Sequence, residues 1–324
     1  MRVVTTSDLP PPASNKTDWP WTQEPTKCSE TDYDLNPWPK ITIVTPSFNQ
    51  GRFIEETIRS VLLQGYPNLE YIIIDGGSTD DSIDIIKKYE KWLSYWVSEK
   101  DEGQAHAINK GIDMATGQWF NWINSDDMLL PNALVTLIKI SQIVPDAEWI
   151  SGGRIVVDKT NSFVDIAIPW RTNPRVIGLG EMDLIQDATF VKLDFVRNHG
   201  IRLYDQYNYI FDTVFHFQLA KYSKPLLTSV VFSTMRWHER IKTKKLEQRK
   251  EKKAAGLSPF VKLLPLTRRI LLRLIASRPG RLLRPIFLFA VVYGVIPFAR
   301  EWTAVVFDYE NCELTEKPAR MVLL

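Results

Sequence analysis

Along the first half of the chain, apolar positions follow two alternating periods. Ile41–Thr45 is a β-branched run closed by Pro46, and Leu69–Asp75 is a second apolar run that ends on a carboxylate. Both have the length of buried strands. Between them Phe53, Ile54, Ile58, Val61 and Leu62 recur at helical spacing, which predicts a helix over Arg52–Leu63. Ser78, three residues before Asp81, has the form of a capping box ahead of a helix carrying Ile83, Ile86 and Tyr89. Tyr95–Ser98 reads as a short strand. Gln104–Met114 reads as a helix with Gly117 just past its end. Trp119–Ile123 is then a strand and Pro131–Ile143 a helix. Strand–helix alternation at this spacing implies βαβ units, hence an α/β, Rossmann-like fold with a mainly parallel central sheet flanked by helices.

After Asp146 the rhythm breaks. Trp149–Val157 and Phe163–Ile168 flank the turn-rich DKTNS and predict a hairpin, Phe211–Lys221 a helix, and Leu226–Phe232 a strand. Residues 1–39 carry seven prolines and no periodicity, so an irregular leader is expected, with Trp19, Trp21 and Trp38 available to tack it to the domain. Three regions follow: leader 1–39, main domain 40–240, and a basic, amphipathic, helical C-terminal region 241–324. The last has two readings. Its apolar stretch Pro285–Ala299 is short of the roughly 20 residues that a spanning helix needs. It follows Arg278, Arg281 and Arg284, which suits contact with a membrane surface through residues 260–300. Ordinary helices packed on the core are the other reading.

The 324 residues are nearly balanced, with 40 Lys+Arg against 38 Asp+Glu, which argues against a dedicated nucleic-acid binder. The balance hides a local excess, 15 Lys/Arg against 3 Asp/Glu from Glu239 to Arg284, that suits a polyanionic surface. This stretch lacks a nucleic-acid fold motif and interleaved stacking aromatics, so no nucleic-acid partner is expected. Two cysteines, Cys28 and Cys312, make neither a disulfide framework nor a zinc spacing, and the N-terminus has no apolar signal core. A cytoplasmic location is expected, peripheral on the cytoplasmic membrane face if the tail binds lipid.

Candidate chemistry sits where the strands end. Asn124-Ser125-Asp126-Asp127 follows a strand, and two adjacent carboxylates repel unless a cation or hydrogen bonds offset them. A hard divalent ion shared with substrate phosphates would do so, while a solvated turn capping the next helix is the plain alternative. Asp75 ends the second strand, where an acidic residue can accept from a ribose hydroxyl or a base N–H. Gly76 and Gly77 allow a close turn, and Pro46, Ser47 and Asn49 should line the same edge.

TPSFNQGRFIEETIRSVLLQGYPNLEYIIIDGGSTDDS and WVSEKDEGQAHAINKGIDMATGQWFNWINSDDMLLP together resemble the family 2 glycosyltransferases, continuously over about residues 40–135 and more weakly to about 245. The resemblance implies the GT-A fold, inverting transfer from a nucleoside-diphosphate sugar (a UDP-sugar first), and a Mg²⁺ or Mn²⁺ cofactor. It implies that Pro46, Ser47, Asn49 and Asp75 hold the nucleoside, and that Asp101, Gly103, Gln104, Asn109, Lys110 and Gly111 pack near base and sugar. Ser125-Asp126-Asp127 matches the acidic metal motif, which more usually begins with aspartate where Asn124 stands. Ser125 and Asp127 would touch the donor, and Asp126 the metal with Asp127 beside it. Gln186-Asp187-Ala188-Thr189-Phe190 resembles the acceptor-side strand. Asp212, opening a helix, matches the catalytic base without the family's usual second acid, Val214 standing there instead. Met235-Arg236-Trp237-His238 resembles a stretch that reaches pyrophosphate and metal, which makes His238 a candidate ligand. The expected activity is hexosyl-type, metal-dependent transfer to a glycan or lipid-linked acceptor in surface polysaccharide or glycolipid synthesis. A non-catalytic, sugar- or partner-binding relative and a sugar nucleotidyltransferase are the alternatives; PSFNQGR, with one Gly and one Arg, is a poor triphosphate loop.

Overall fold

A computed structural model describes residues 3–25, 38–169, 184–238, 245–255, 303–308 and 313–318. Strands β1 (Ile41–Ser47), β2 (Leu69–Asp75), β3 (Tyr95–Ser98) and β4 (Trp119–Trp122) alternate with α1 (Ile54–Leu62), α2 (Ser82–Tyr89) and α3 (Gln104–Met114). These four strands are mutually parallel in the order β3-β2-β1-β4. The apolar runs look continuous because both sheet faces are covered. Ile41, Ile43, Tyr71 and Ile73 face a core that includes Ile54, Ile58 and Ile86, while Val44, Ile72 and Ile74 face one that includes Ile108 and Ile112. Helix α3 lies so close to β1 that a Cβ at Gly111 would stand 2.5 Å from Val44 Cγ1.

The second helix starts later than its capping pattern suggests. Ser78 spends its hydroxyl on Asp75, at 2.6 Å, and Asp80 receives the Ser82 N–H instead, at 3.0 Å.

Beyond β4 come β5 (Met128–Leu129), α4 (Ala133–Ile143), the antiparallel hairpin β6 (Trp149–Asp158) and β7 (Phe163–Ala167), β8 (Thr189–Lys192), α5 (Leu193–Asn198), α6 (Phe211–Tyr222), β9 (Leu226–Trp237), α7 (Lys245–Ala254), β10 (Thr303–Asp308) and β11 (Glu313–Pro318). The sheet order is β11-β10-β9-β6-β8-β4-β1-β2-β3, with β5 on β9 and β7 on β6. The α/β layering with flanking helices is the expected one, but the sheet is mixed rather than mainly parallel. β8 runs antiparallel to both neighbours, β4 and β6, and so joins the parallel half to a second half built from β6 and β9. A four-residue strand paired to partners far away in sequence carries no periodicity that would announce its direction.

The C-terminal region is not wholly helical. It holds α7 but also β10 and β11, whose TAVVFD and ELTEKP segments pair antiparallel. Valine, threonine and phenylalanine suit a pleated surface. The stretch expected to contact a membrane, 260–300, lies outside the described residues. Among the described residues no helix is long and apolar enough to cross a membrane.

The described leader, residues 3–25 and 38–39, carries no helix or strand beyond a single 3-10 turn at Thr6–Asp8, yet it is docked. Leu9 and Trp21 are buried. Trp19 Nε1 donates to Leu129 O at 2.9 Å, and Trp38 meets Tyr66 edge-on. Arg59 of α1, fully buried, donates to Pro20 O (3.1 Å), Pro10 O (2.9 Å) and Trp21 O (3.0 Å). His216 is structural: it stacks on Trp149, and burial pushes its pKa down to about 3, so it stays neutral.

Candidate functional site

Parallel strands place their carboxyl ends on one edge, and there the register sets Ser47 beside Asp75 and Asp75 beside Ser98. Pro46 and Ser47 are buried at the end of β1, and the Ser47 hydroxyl has no hydrogen-bond partner among the described residues. Asp75 is fully buried. Its Oδ2 accepts from Gly77 N (3.1 Å), Ser78 N (2.8 Å) and Ser98 Oγ (2.7 Å), and its Oδ1 from Ser78 Oγ. The carboxylate expected to meet a nucleoside therefore shapes the GGS turn in this structure. Asn49, at a φ of 53°, receives Thr79 N at 2.8 Å and ties the first loop to that turn. Asp101 accepts from Gly103 N at 2.9 Å and lies against Gly76, where a Cβ would come within 2.8 Å of its Oδ2.

Two residues expected near base and sugar have structural partners. The Asn109 side-chain amide bonds both the carbonyl (2.7 Å) and the N–H (3.1 Å) of Leu203. Lys110 pairs with Glu99. Gln104, at the start of α3, does reach the acidic loop, donating to Asn124 Oδ1 at 2.7 Å.

The acidic loop follows β4 and is held from three sides. Thr57 Oγ1 of α1 donates to Asp127 O at 2.7 Å. β5 pairs antiparallel with β9, matching Met128 to Thr234. This brings Arg236 alongside, whose backbone N–H donates to Asp127 Oδ1 (3.0 Å) and whose Nε donates to Asp126 O (3.2 Å). The second Asp127 oxygen accepts from Asn124 Nδ2 at 3.0 Å. Asn124 thus donates to one neighbour and accepts from another, which an ionised aspartate in its place could not do. Ser125 is buried within the loop.

The paired carboxylates have different surroundings. Asp127 is buried, and burial together with Asp126 and Asp187 raises its pKa well above the usual carboxylate range. Asp126 lies on the open side, where its Oδ2 meets His238 Nε2 at 2.9 Å. The His238 ring packs on Phe53. The trio Asp126, Asp127 and His238 is not a preformed metal cage, because the Asp127 carboxylate is committed to Arg236 and Asn124. Among the described residues no group of three or more His, Cys, Asp or Glu is placed to hold a metal. Asp126 and His238 do converge.

Asp212 is the second residue of α6 and half-buried. Burial raises its pKa; the Thr213 N–H, Arg154 and Lys252 pull it back. Arg154 lies within electrostatic reach of Asp187, Asp127 and Asp212 and bonds Asp187 Oδ1 at 2.9 Å. Asp187 also accepts from Ser233 Oγ at 2.6 Å. Helix α7 closes over the approach to α6, where both Glu251 oxygens accept from the consecutive N–H groups of Asn208 (3.0 Å) and Tyr209 (2.9 Å). Sequence reasoning missed Glu56, Arg59, Arg154 and the anchoring role of Arg236. The usable signal was charge within apolar runs: Arg154 inside ISGGRIVV, and Glu56 and Arg59 inside a helix with few exposed positions.

Residues 42–185 match the family model for Glycosyl transferase family 2. The putative teichuronic acid biosynthesis glycosyltransferase TuaG of Bacillus subtilis is 39% identical over 92 residues, covering 28% of this chain and 36% of that protein. The glycosyltransferase GlyG of Streptococcus pneumoniae is 32% identical over 124 residues, covering 37% of this chain and 41% of that protein. The matches thus span about two-fifths of the length of these relatives. Among solved structures, the mannosyltransferase PcManGT from Pyrobaculum calidifontis, in complex with GDP-Man and Mn²⁺, aligns over 85% of this chain and 84% of that one, with a TM-score of 0.49 and 17% identity.

Proposed function

From the match of residues 42–185 to the glycosyl transferase family 2 model, we propose that the chain moves a sugar from a nucleoside-diphosphate sugar, a UDP-sugar first, to a hydroxyl of a glycan or lipid-linked acceptor, with inversion. The observation that carries this reading is the acidic loop at the carboxyl edge of the sheet. Asp126 opens toward His238 there, while Asp127 is locked behind it. The edge of β1 and β2 supports a nucleoside site, where the Ser47 hydroxyl is buried without a hydrogen-bond partner among the described residues.

The Asp126 oxygen and the His238 nitrogen suit a divalent cation that completes its shell with phosphate oxygens. Mg²⁺ or Mn²⁺ held there would neutralise charge on the leaving nucleoside diphosphate. Asp212 takes the proton from the acceptor hydroxyl as that oxygen attacks the anomeric carbon, opposite the leaving group. Arg154 balances the carboxylates of Asp187 and Asp212 and supports the ionised form that a base requires. The name of the B. subtilis relative supports a surface polymer as product.

The test is calorimetric titration of UDP, GDP and dTDP, with and without Mn²⁺. Metal-dependent binding of one nucleotide, lost in Asp126→Ala, is the expected result. Equal binding by that variant would sink the assignment. The basic run from Glu239 to Arg284 supports a peripheral, lipid-facing enzyme. The full chain should sediment with anionic liposomes, and a chain ending after about residue 255 should not. Sedimentation of the shortened chain would refute the membrane role of the tail.

A further inference from the structure

The leader precedes the family-matched residues, yet its contacts converge on the acidic loop. Trp19 Nε1 donates to Leu129 O, two residues after Asp127. Lys16 Nζ pairs with Glu56 Oε1 at 2.9 Å, and Lys16 and Arg59 both approach the Trp21 ring, 5.0 and 5.1 Å from its centre. The other Glu56 oxygen pairs with Arg236 Nη2; Glu56 and Arg236 are both buried. Arg236 in turn holds Asp127 Oδ1 and Asp126 O through its backbone N–H and Nε. Lys16, Glu56, Arg236 and the two aspartates thus form one uninterrupted chain of polar contacts, with Glu56 as the carboxylate between two cations.

We infer that the leader is a clamp for the donor-binding acidic loop. Glu56 and Arg236 are its positioning residues, and Lys16 and Trp19 are its outer grip. The proposal rests on the functional reading above for the identity of the ligand. It adds that the family-matched region does not hold its own loop in register without residues 3–25. A buried ion pair keeps its geometry only while each member keeps its partners. Glu56 would be free to follow Arg236 away from the loop if its leader contacts were removed.

The test uses the full chain carrying Lys16→Met and Trp19→Phe together, with Lys16→Met alone as a milder variant because Lys16 is 39% exposed. Amide exchange is followed at Asp127, Leu129 and Leu130, which donate to Asn124 O, Ser60 Oγ and Phe232 O. UDP, GDP and dTDP are titrated with Mn²⁺ in parallel. Losing one ion pair and one hydrogen bond should weaken nucleotide binding by about 3–10-fold and speed exchange at those amides, while leaving exchange in α3 unchanged. Wild-type exchange and affinity in both variants would overturn the clamp. Wild type that binds no nucleotide would overturn the functional reading instead, and the exchange result would still decide whether the leader holds the loop.

Discussion

Asp212→Asn should lower kcat for sugar transfer by about 10²–10⁴-fold, the usual contribution of a positioned general base, and leave nucleotide affinity unchanged. The asparagine keeps the size of the side chain and can still accept from the Thr213 N–H, so the start of α6 survives. The pH dependence carries a second mark. Burial sets the folded pKa of Asp212 above its unfolded value. The group therefore contributes stability that is present below the unfolded pKa and lost as pH rises through the folded one. Wild type at neutral pH thus bears a cost that the variant lacks, and Asp212→Asn should be at least as stable there. In wild type, activity should fall with decreasing pH along a limb lying above the ordinary carboxylate range. Nucleotide release over pH, together with thermal unfolding of both proteins, checks this. An asparagine variant with wild-type turnover would remove Asp212 from the base role.

Arg59→Met should cost about 3 kcal/mol or more, because three leader carbonyls each lose a buried donor worth about 1–3 kcal/mol. Methionine fills much of the space, so the loss isolates the hydrogen bonds from packing. In a protein of this size, that corresponds to a fall in Tm of roughly 6 °C or more. Proteolysis should then open first in residues 3–25, where Pro10, Pro20 and Trp21 lose their anchor. Arg59→Lys should fall between the two, since one ammonium cannot reproduce a fork of donors aimed at separate carbonyls. An Arg59→Met protein with the wild-type Tm and cleavage pattern would show that the leader stays docked by other means.

The parallel half of the sheet was readable because its information is local. Each strand is one apolar run, each helix one amphipathic run, and their alternation gives the βαβ units, though not the spatial order β3-β2-β1-β4. The position of the acidic loop after β4 followed from the same reading. Direction and partnership in the second half were not readable. β8 has four residues, and its placement between β4 and β6 depends on contacts across distant sequence. A carboxylate also looks the same in a sequence whether it faces a ligand or its own loop. Asp75, at a strand end that suits a nucleoside contact, also accepts from Ser78, Gly77 and Ser98. The unusual Asn124 became intelligible only once its two neighbours, Gln104 and Asp127, were known.

The anchoring of the acidic loop by Arg236 also has a consequence for the order in which the molecule assembles. Asp127 and the Arg236 N–H that holds it are 109 positions apart, and Glu56 meets the Arg236 guanidinium across 180. The parallel βαβ half has mostly short loops to close, whereas this junction closes over most of the domain, and such distant closures are slow. During synthesis, strands β1 to β4 emerge and can pair long before β9 leaves the ribosome. The finished acidic loop is therefore among the last features that the chain acquires.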